Sequence, residues 1–304
     1  MGKVAFVFPG QGTQYVGMGK DLYEKSPKAK EVMDTMFQSL DFDLKSIMFE
    51  GTAEDLKQTK YTQPAIVAFS LTLLELVKEK GIKADYVAGH SVGEYAAYGA
   101  AGMLSLEEAI RLTAARGQIM NDVSEKVRGT MAAVLGMSAE KIQEVLSRVE
   151  GVVEAVNFNE PNQTVIAGEK AAVEAACLAL KEAGARRALP LAVSGPFHSS
   201  LMKEAGEKLK EEAEKYHFSM TDIGLVANTT AEVLTSVEEV KDEIYHQSFG
   251  PVYWVKTIEY LVAAGVDTIY EIGPGKVLSG LIKKINREIT VKNIETLEEI
   301  ENLM

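Results

Sequence analysis

Gly89-His90-Ser91-Val92-Gly93 fits the pattern G-x-S-x-G. Tyr86, Val87 and Ala88 before it read as the end of a short buried strand, and Glu94-Tyr95-Ala96-Ala97-Tyr98 after it as a helix. A serine on a sharp turn from strand to helix is a nucleophile elbow. The glycines suit such a turn, because a side chain at 89 or 93 would clash where strand and helix cross. The turn lifts the Ser91 hydroxyl off the sheet, where a base could take its proton and its oxygen could attack an acyl carbon. It also aims the Val92 N–H, at the helix N-terminus, toward any oxyanion that forms.

A serine nucleophile needs a base, and the chain has four histidines. The His90 side chain should diverge from its neighbour Ser91. His217 follows a charged helix and reads as solvated, while His246 stands in a polar segment before Gln247. His198 sits in Ser194-Gly195-Pro196-Phe197-His198-Ser199, on a Gly-Pro turn ahead of a helix. Such a junction opens on a cleft, where active sites commonly lie. Elimination makes His198 the better base and leaves His246 as its rival.

Two further sites carry possible chemistry. Pro9-Gly10-Gln11-Gly12-Thr13-Gln14 follows an apolar run at once. Its glycines would leave the Gln11 N–H free to point outward as a second oxyanion donor; a plain strand-to-helix loop is the other reading. Arg116 lies within Ala114-Ala115-Arg116-Gly117. Small neighbours let a ligand approach the guanidinium, whose forked donors suit a carboxylate. A solvated or paired helix arginine is the alternative.

The elements that must position these groups show in the apolar runs. Residues 4–8 read as a buried parallel strand. Residues 20–60 are helical and polar, with breaks at Ser26-Pro27 and Glu50-Gly51-Thr52. A helix over 65–80 opens at Tyr61-Thr62-Gln63-Pro64, with Pro64 in its first turn and Gly81 at its end. A strand over 83–88 feeds the elbow. Ser105 and Glu108 form a capping box for a helix over 107–122. Strands at 129–135, 152–157, 163–167 and 188–193 alternate with helices at 138–149 and 170–183, in the ferredoxin-like order βαββαβ. Helices over 201–216, 237–245 and 255–264, a strand ending at Asn228, a loop over 246–254, a strand over 268–272 and a short acidic tail over 291–304 complete the chain. The expected class is α/β. An α/β-hydrolase-like large subdomain with a mostly parallel sheet takes residues 1–127 and 199–304. An inserted ferredoxin-like small subdomain takes residues 128–198 and ends at the histidine.

Composition limits the function classes. A hydrophobic content of 46% with 25% charged residues is that of a soluble globular chain of 304 residues. The net charge of −12 argues against general nucleic-acid binding. Cys177, alone in an apolar helical run, reads as a buried inert thiol and suits a reducing cytoplasm. No histidine or cysteine spacing suggests a metal, and no cofactor is expected. The apolar run 4–8 is too short for a signal peptide or a membrane span.

Seven landmarks stand in order: Phe8-Pro9-Gly10-Gln11-Gly12, Tyr61-Thr62-Gln63-Pro64-Ala65, Gly89-His90-Ser91-Val92-Gly93-Glu94, Arg116-Gly117, Phe197-His198, Pro251-Val252-Tyr253-Trp254 and Glu271-Ile272-Gly273-Pro274-Gly275-Lys276. Together they resemble the malonyl-coenzyme A:acyl carrier protein transacylases of fatty-acid synthesis. The resemblance implies transfer of a malonyl group from coenzyme A to the phosphopantetheine thiol of acyl carrier protein, through an ester on Ser91. It implies a dyad in which the backbone carbonyl of Gln247 holds His198 where a hydrolase would use a carboxylate. The N–H groups of Gln11 and Val92 match the oxyanion donors, Arg116 the partner of the malonyl carboxylate, and Phe197 a wall of the acyl pocket. Gln63, Met120 and Asn162 are the further substrate-binding candidates.

The carrier is acidic and so is this chain, so docking needs a local basic patch. Arg186-Arg187 and Lys283-Lys284 with Arg287 are the candidates; a solvated helix face is as good a reading of either cluster alone. The expected partners are malonyl-coenzyme A and the carrier, met by a cytoplasmic monomer. An esterase on the same elbow, usually with a carboxylate behind the histidine, and a non-catalytic carrier-binding scaffold are the rival readings.

Overall fold

The computed structural model describes residues 2–303. Its strands are β1 (Lys3–Phe8), β2 (Tyr86–Gly89), β3 (Gly129–Leu135), β4 (Val153–Glu160), β5 (Gln163–Glu169), β6 (Arg187–Pro190), β7 (Gly224–Leu225), β8 (Val266–Ile272) and β9 (Thr290–Ile294). Its helices are α1 (Lys20–Lys25), α2 (Pro27–Gln38), α3 (Leu44–Glu50), α4 (Ala53–Lys57), α5 (Thr59–Glu79), α6 (Gly93–Ala100), α7 (Leu106–Val127), α8 (Ala139–Leu146), α9 (Lys170–Glu182), α10 (Lys203–Ala213), α11 (Val237–Gln247), α12 (Trp254–Ala263), α13 (Val277–Ile285) and α14 (Leu297–Glu301). A 3-10 turn, Ser200–Met202, leads into α10.

Five parallel strands in the order β7-β2-β1-β8-β9 make the first sheet. Helices cover both of its faces, so β1 carries apolar residues on each. Phe6 and Phe8 pack in the core shared with α2, α5 and α6, while Ala5 and Val7 pack in the core shared with α12 and α13. That is why residues 4–8 read as an unbroken apolar run rather than an alternating one. The second sheet is antiparallel, in the order β4-β5-β3-β6, with α8 and α9 packed on it. Numbered within the unit, its strands run 4-1-3-2, the ferredoxin-like arrangement. Met120 on α7, Met131 on β3, Val165 on β5 and Phe197 share a further core that joins the second sheet to α7 and α10.

Several boundaries differ from those read in the sequence. The helix expected over 65–80 begins at Thr59, so Pro64 lies inside it rather than in its first turn. The cost is one hydrogen bond, since a proline there has no N–H to give the carbonyl four residues back. The strand before the elbow is Tyr86–Gly89, not 83–88. The capping box of Ser105 and Glu108 is present, but α7 runs on to Val127, and Arg128 ends it in the left-handed conformation with φ 53°. Gln247 belongs to α11 and not to a loop. The acidic tail over 291–304 is a parallel edge strand followed by α14. Its start carried a readable signal, a capping box of Thr296 and Glu299.

Candidate active site

The ends of β1 and β2 are level, with Phe8 opposite Gly89. The loops that follow them therefore lie side by side at the carboxyl edge of the sheet, where α/β folds place ligands. A Cβ on Gly89 would sit 1.9 Å from the Gly93 carbonyl carbon, and one on Gly93 would sit 2.1 Å from Phe8 O. Neither position tolerates a side chain, so the strand can pass this close to α6 only with glycine at both. Between them Ser91 is held at φ 53°, a left-handed conformation that costs a residue with a Cβ about 1–3 kcal/mol.

His198 is also left-handed, at φ 66°. Its Nε2 lies 2.8 Å from Ser91 Oγ. Its Nδ1 lies 2.8 Å from Gln247 O and 3.2 Å from Gly250 O. Carbonyls only accept, so the neutral ring keeps its proton on Nδ1 and turns the Nε2 lone pair toward the serine hydroxyl. Gln247 O is available because Gln247 is the last residue of α11, where carbonyls have no partner further along the helix. No carboxylate is hydrogen-bonded to the ring among the described residues. Burial first, and then the nearby Arg116 cation, push the His198 pKa down to about 3. The ring is therefore a neutral base at neutral pH.

Val92 precedes the first residue of α6, where helix N–H groups lack internal partners. Neither its N–H nor that of Gln11 finds a hydrogen-bond acceptor among the described residues. The two segments touch: a Cβ on Gly10 would lie 2.6 Å from His90 O. Two free amides beside Ser91 can receive the oxygen of a tetrahedral intermediate. The Gln11 side chain donates to Thr59 Oγ1 at 3.3 Å, which anchors the loop to α5.

A cavity of about 90 Å³ opens over Ser91 and His198. Gln11, Gln63, His90, Met120 and Phe197 line it, together with Met131, Asn157, Leu191 and Val193. Its size suits a short acyl chain. Gln63 Nε2 donates to Met120 Sδ at 3.6 Å, while its buried Oε1 has no partner. Arg116 is fully buried and reaches the same serine, with Nη2 3.3 Å from Ser91 Oγ and 2.9 Å from Gln247 Oε1. Its guanidinium lies over the Tyr95 ring, 5.0 Å from the centroid, but Nε and Nη1 are unpartnered. Burial lowers the guanidinium pKa, and Tyr95 and Glu94 oppose that shift. A buried cation with idle donors can be satisfied by an incoming carboxylate.

Among the described residues, none of the other histidines is hydrogen-bonded to Ser91. His90 turns away to Asn159, with Nε2 2.7 Å from Oδ1, and His246 bonds back to its own helix at Asp242. His217 is exposed.

Asn162 does not meet Ser91. It lines a second cavity, of about 370 Å³, with Gly136, Glu160, Pro161, Arg186, Lys284 and Arg287. The two basic clusters of the sequence thus converge there, one from the turn before β6 and one from α13 and the turn after it, while Arg187 and Lys283 are exposed beyond its lining. A larger cavity, of about 510 Å³ on the outer side of α5 and α7, is lined by Asp41, Lys60, Tyr61 and Arg111 and by no histidine, and Ser91 does not face it. Sequence reasoning missed Asn228, whose side chain touches the elbow backbone, and the buried Glu94 behind it. Asn228 left one signal, a polar residue at the carboxyl end of a buried strand.

The model of the acyl transferase domain family matches residues 5–300. The malonyl CoA-acyl carrier protein transacylase of Bacillus subtilis (strain 168) is 47% identical, over 98% of this chain and 96% of that protein. An acyl carrier protein S-malonyltransferase from Vibrio cholerae superposes with a TM-score of 0.95 at 38% identity, covering 99% of this chain and 100% of the other. A malonyl-transacylase solved in complex with a type II PKS acyl-carrier protein superposes with a TM-score of 0.94 at 39% identity, covering 98% of each chain.

Proposed function

The chain belongs to the acyl transferase family, among the malonyl CoA-acyl carrier protein transacylases, and on that premise we propose how its residues move malonyl from coenzyme A to the acyl carrier protein of fatty-acid synthesis. Ser91 Oγ attacks the thioester carbonyl as His198 Nε2 takes its proton. The carbonyl oxygen becomes an oxyanion held by the N–H groups of Gln11 and Val92, each worth about 3 kcal/mol to the transition state. The C–S bond breaks, the imidazolium returns its proton to the departing thiolate, and malonyl remains as an ester on Ser91. The phosphopantetheine thiol of the carrier then gives its proton to His198 and attacks the ester carbonyl; the bond from the acyl carbon to Ser91 Oγ breaks, and the imidazolium returns the proton to Oγ as malonyl leaves on the carrier thiol. Arg116 pairs with the free carboxylate, while Phe197, Met120 and Gln63 bound the acyl group.

The observation that carries this reading is the 2.8 Å contact of Ser91 Oγ with His198 Nε2, in a ring whose other nitrogen rests on a carbonyl. A hydrolase reading has no carboxylate to call on there. The test is malonyl-coenzyme A alone, followed by intact mass and peptide mapping. A malonyl ester on Ser91 that persists until a carrier thiol is added is expected. Steady release of malonate without the carrier would favour hydrolysis, and an adduct on another residue would remove Ser91.

The carrier docks, in this reading, over the cavity where Arg186, Lys284 and Arg287 meet beside Asn162. One of these cations is already engaged: Lys284 pairs with Glu160 at 3.3 Å. Reversing Arg186 and Arg287 to glutamate is expected to raise the KM for the carrier by about tenfold at low salt, and by less as salt screens the surface. The maximal rate of malonyl loading from coenzyme A should stay within about twofold of the starting protein. An unchanged KM for the carrier would move docking elsewhere.

The same reading makes the enzyme a cytoplasmic monomer. It splits the chain at residues 127–128 and 198–199, which keeps Ser91 in one part and brings His198 from the end of the other. Among the described residues no helix is long and apolar enough to cross a membrane.

A further inference from the structure

We propose that Asn228 is a positioning residue, whose side-chain amide holds Ser91 in the left-handed backbone from which its hydroxyl attacks. The inference rests on the reading of Ser91 as the nucleophile.

Asn228 is fully buried and follows β7, the edge strand beside β2. Its Nδ2 donates to Gly89 O at 2.6 Å, and its Oδ1 accepts from Ser91 N at 2.8 Å. One amide thus ties the last residue of β2 to the elbow residue and straddles His90 between them. The Ser91 N–H has no other acceptor among the described residues. A donor and an acceptor on one short, planar group are what this span requires, and asparagine supplies both at that length whatever the pH. Leucine would supply neither, and glutamine is a methylene too long.

The support is itself fixed. Asn228 N donates to Glu94 Oε2 at 2.8 Å, and its carbonyl accepts from Tyr253 N at 2.9 Å. The other Glu94 oxygen accepts from Tyr98 Oη at 2.8 Å. On the far side of the serine, Gln247 Nε2 donates to Ser91 O at 3.0 Å. Ser91 is therefore held through both of its backbone polar groups by side chains, while its own side chain is left free for His198. Without the amide the part-buried Ser91 N–H would be unpaired, and only the bonds to its carbonyl would oppose relaxation of the strained φ.

Two variants test this, with malonyl loading followed by stopped-flow mass analysis at a temperature where circular dichroism shows each to be folded. Asn228→Ala is expected to load Ser91 at least about 100-fold more slowly, with the KM for malonyl-coenzyme A within about threefold of wild type. Asn228→Asp keeps an oxygen for Ser91 N but, when ionised, sets a second oxygen against Gly89 O. Protonated, it has an O–H to donate there. The groups facing it are Glu94 on α6 with Tyr98 Oη, Glu243 on α11 through Thr229, and Arg116 on α7 through Gln247. Burial beside two carboxyl groups raises the pKa of an added acid.

The deficit of Asn228→Asp against wild type should therefore shrink by at least about tenfold between about pH 8 and about pH 5.5. A purely structural role would leave that ratio flat with pH. Loading by folded Asn228→Ala within about fivefold of wild type overturns the proposal. If that variant does not fold, a pH-independent deficit in Asn228→Asp does so. Ser91→Ala, mapped alongside, separates the two readings: malonyl on any residue but Ser91 in the wild type is a failure of the nucleophile assignment, not of the clamp.

Discussion

Replacing His198 with alanine is expected to slow malonyl loading of Ser91 by at least about 10⁴-fold, with the thermal midpoint little changed. The size follows from the geometry. Ser91 Oγ has one neutral base, at 2.8 Å, and its second neighbour, the cationic Arg116 Nη2 at 3.3 Å, can only donate. Rapid-quench loading with peptide mapping measures the effect, and residual loading within about 100-fold of wild type would mean that another group takes the proton. The wild-type pH profile is a second reading of the same group. Only the unprotonated ring can act, so activity falls as pH drops through the His198 pKa. That pKa is pushed from 6.5 down to about 3 by burial and by Arg116. The profile of kcat/KM, which reports the free enzyme, should therefore be flat between about pH 8 and about pH 5. An unperturbed histidine would lose about 30-fold by pH 5. The profile of kcat should bend at a higher pH than that of kcat/KM, because a bound malonyl carboxylate offsets the Arg116 charge that helps hold the ring neutral.

The parts of this site that the sequence discloses are those that depend on local rules. Two glycines around a serine, after a β-run and before a helix, specify the elbow because backbone clash allows little else at 89 and 93. The βαββαβ order of the second sheet was readable because each strand is bounded by glycine, proline or asparagine turns and each helix by a cap. What the sequence hid depends on distance in the chain. Gln247 reaches His198, Ser91 and Arg116 at once, but only because α11 happens to end there. The reading of 246–254 as a loop gave no physical reason for that carbonyl to be left over, and only the family resemblance pointed to it. Asn228 is 137 positions from Ser91, and its amide becomes legible only when β7 is laid against β2. The two basic clusters read as separate docking candidates or solvated faces, and only the packing of α13 near β4 brings Lys284 and Arg287 to Arg186. The edge strand β9 was missed because one of its faces meets solvent, which dilutes the apolar signal to two or three residues.

Arg116→Ala is expected to reverse the acyl preference of the enzyme. The guanidinium is wholly buried, and with Nε and Nη1 unpaired it stays only partly satisfied until a carboxylate arrives. Malonyl brings that carboxylate and acetyl does not. Removing one member of a buried charge pair costs about 2–5 kcal/mol, a loss of about 30-fold to several thousandfold in kcat/KM for malonyl-coenzyme A. For acetyl-coenzyme A the arginine contributes no pair, and its removal relieves a buried, half-satisfied cation, so acetyl loading should fall far less than malonyl loading. The ratio of the two kcat/KM values is the measurement, since a general disturbance of Ser91 would lower both and leave it unchanged. Part of any loss will be shared. Arg116 Nη2 also donates to Gln247 Oε1, and Gln247 holds the Ser91 carbonyl, so the alanine variant loosens that support for both substrates alike. Arg116→Lys separates the terms. It returns the positive charge without the planar fork, so it should recover part of the malonyl rate while remaining poorer than wild type, because one ammonium cannot meet both carboxylate oxygens in plane. Equal losses for malonyl and acetyl in both variants would leave Arg116 as scaffolding for Gln247 and transfer the choice of acyl group to the apolar walls at Met120 and Phe197.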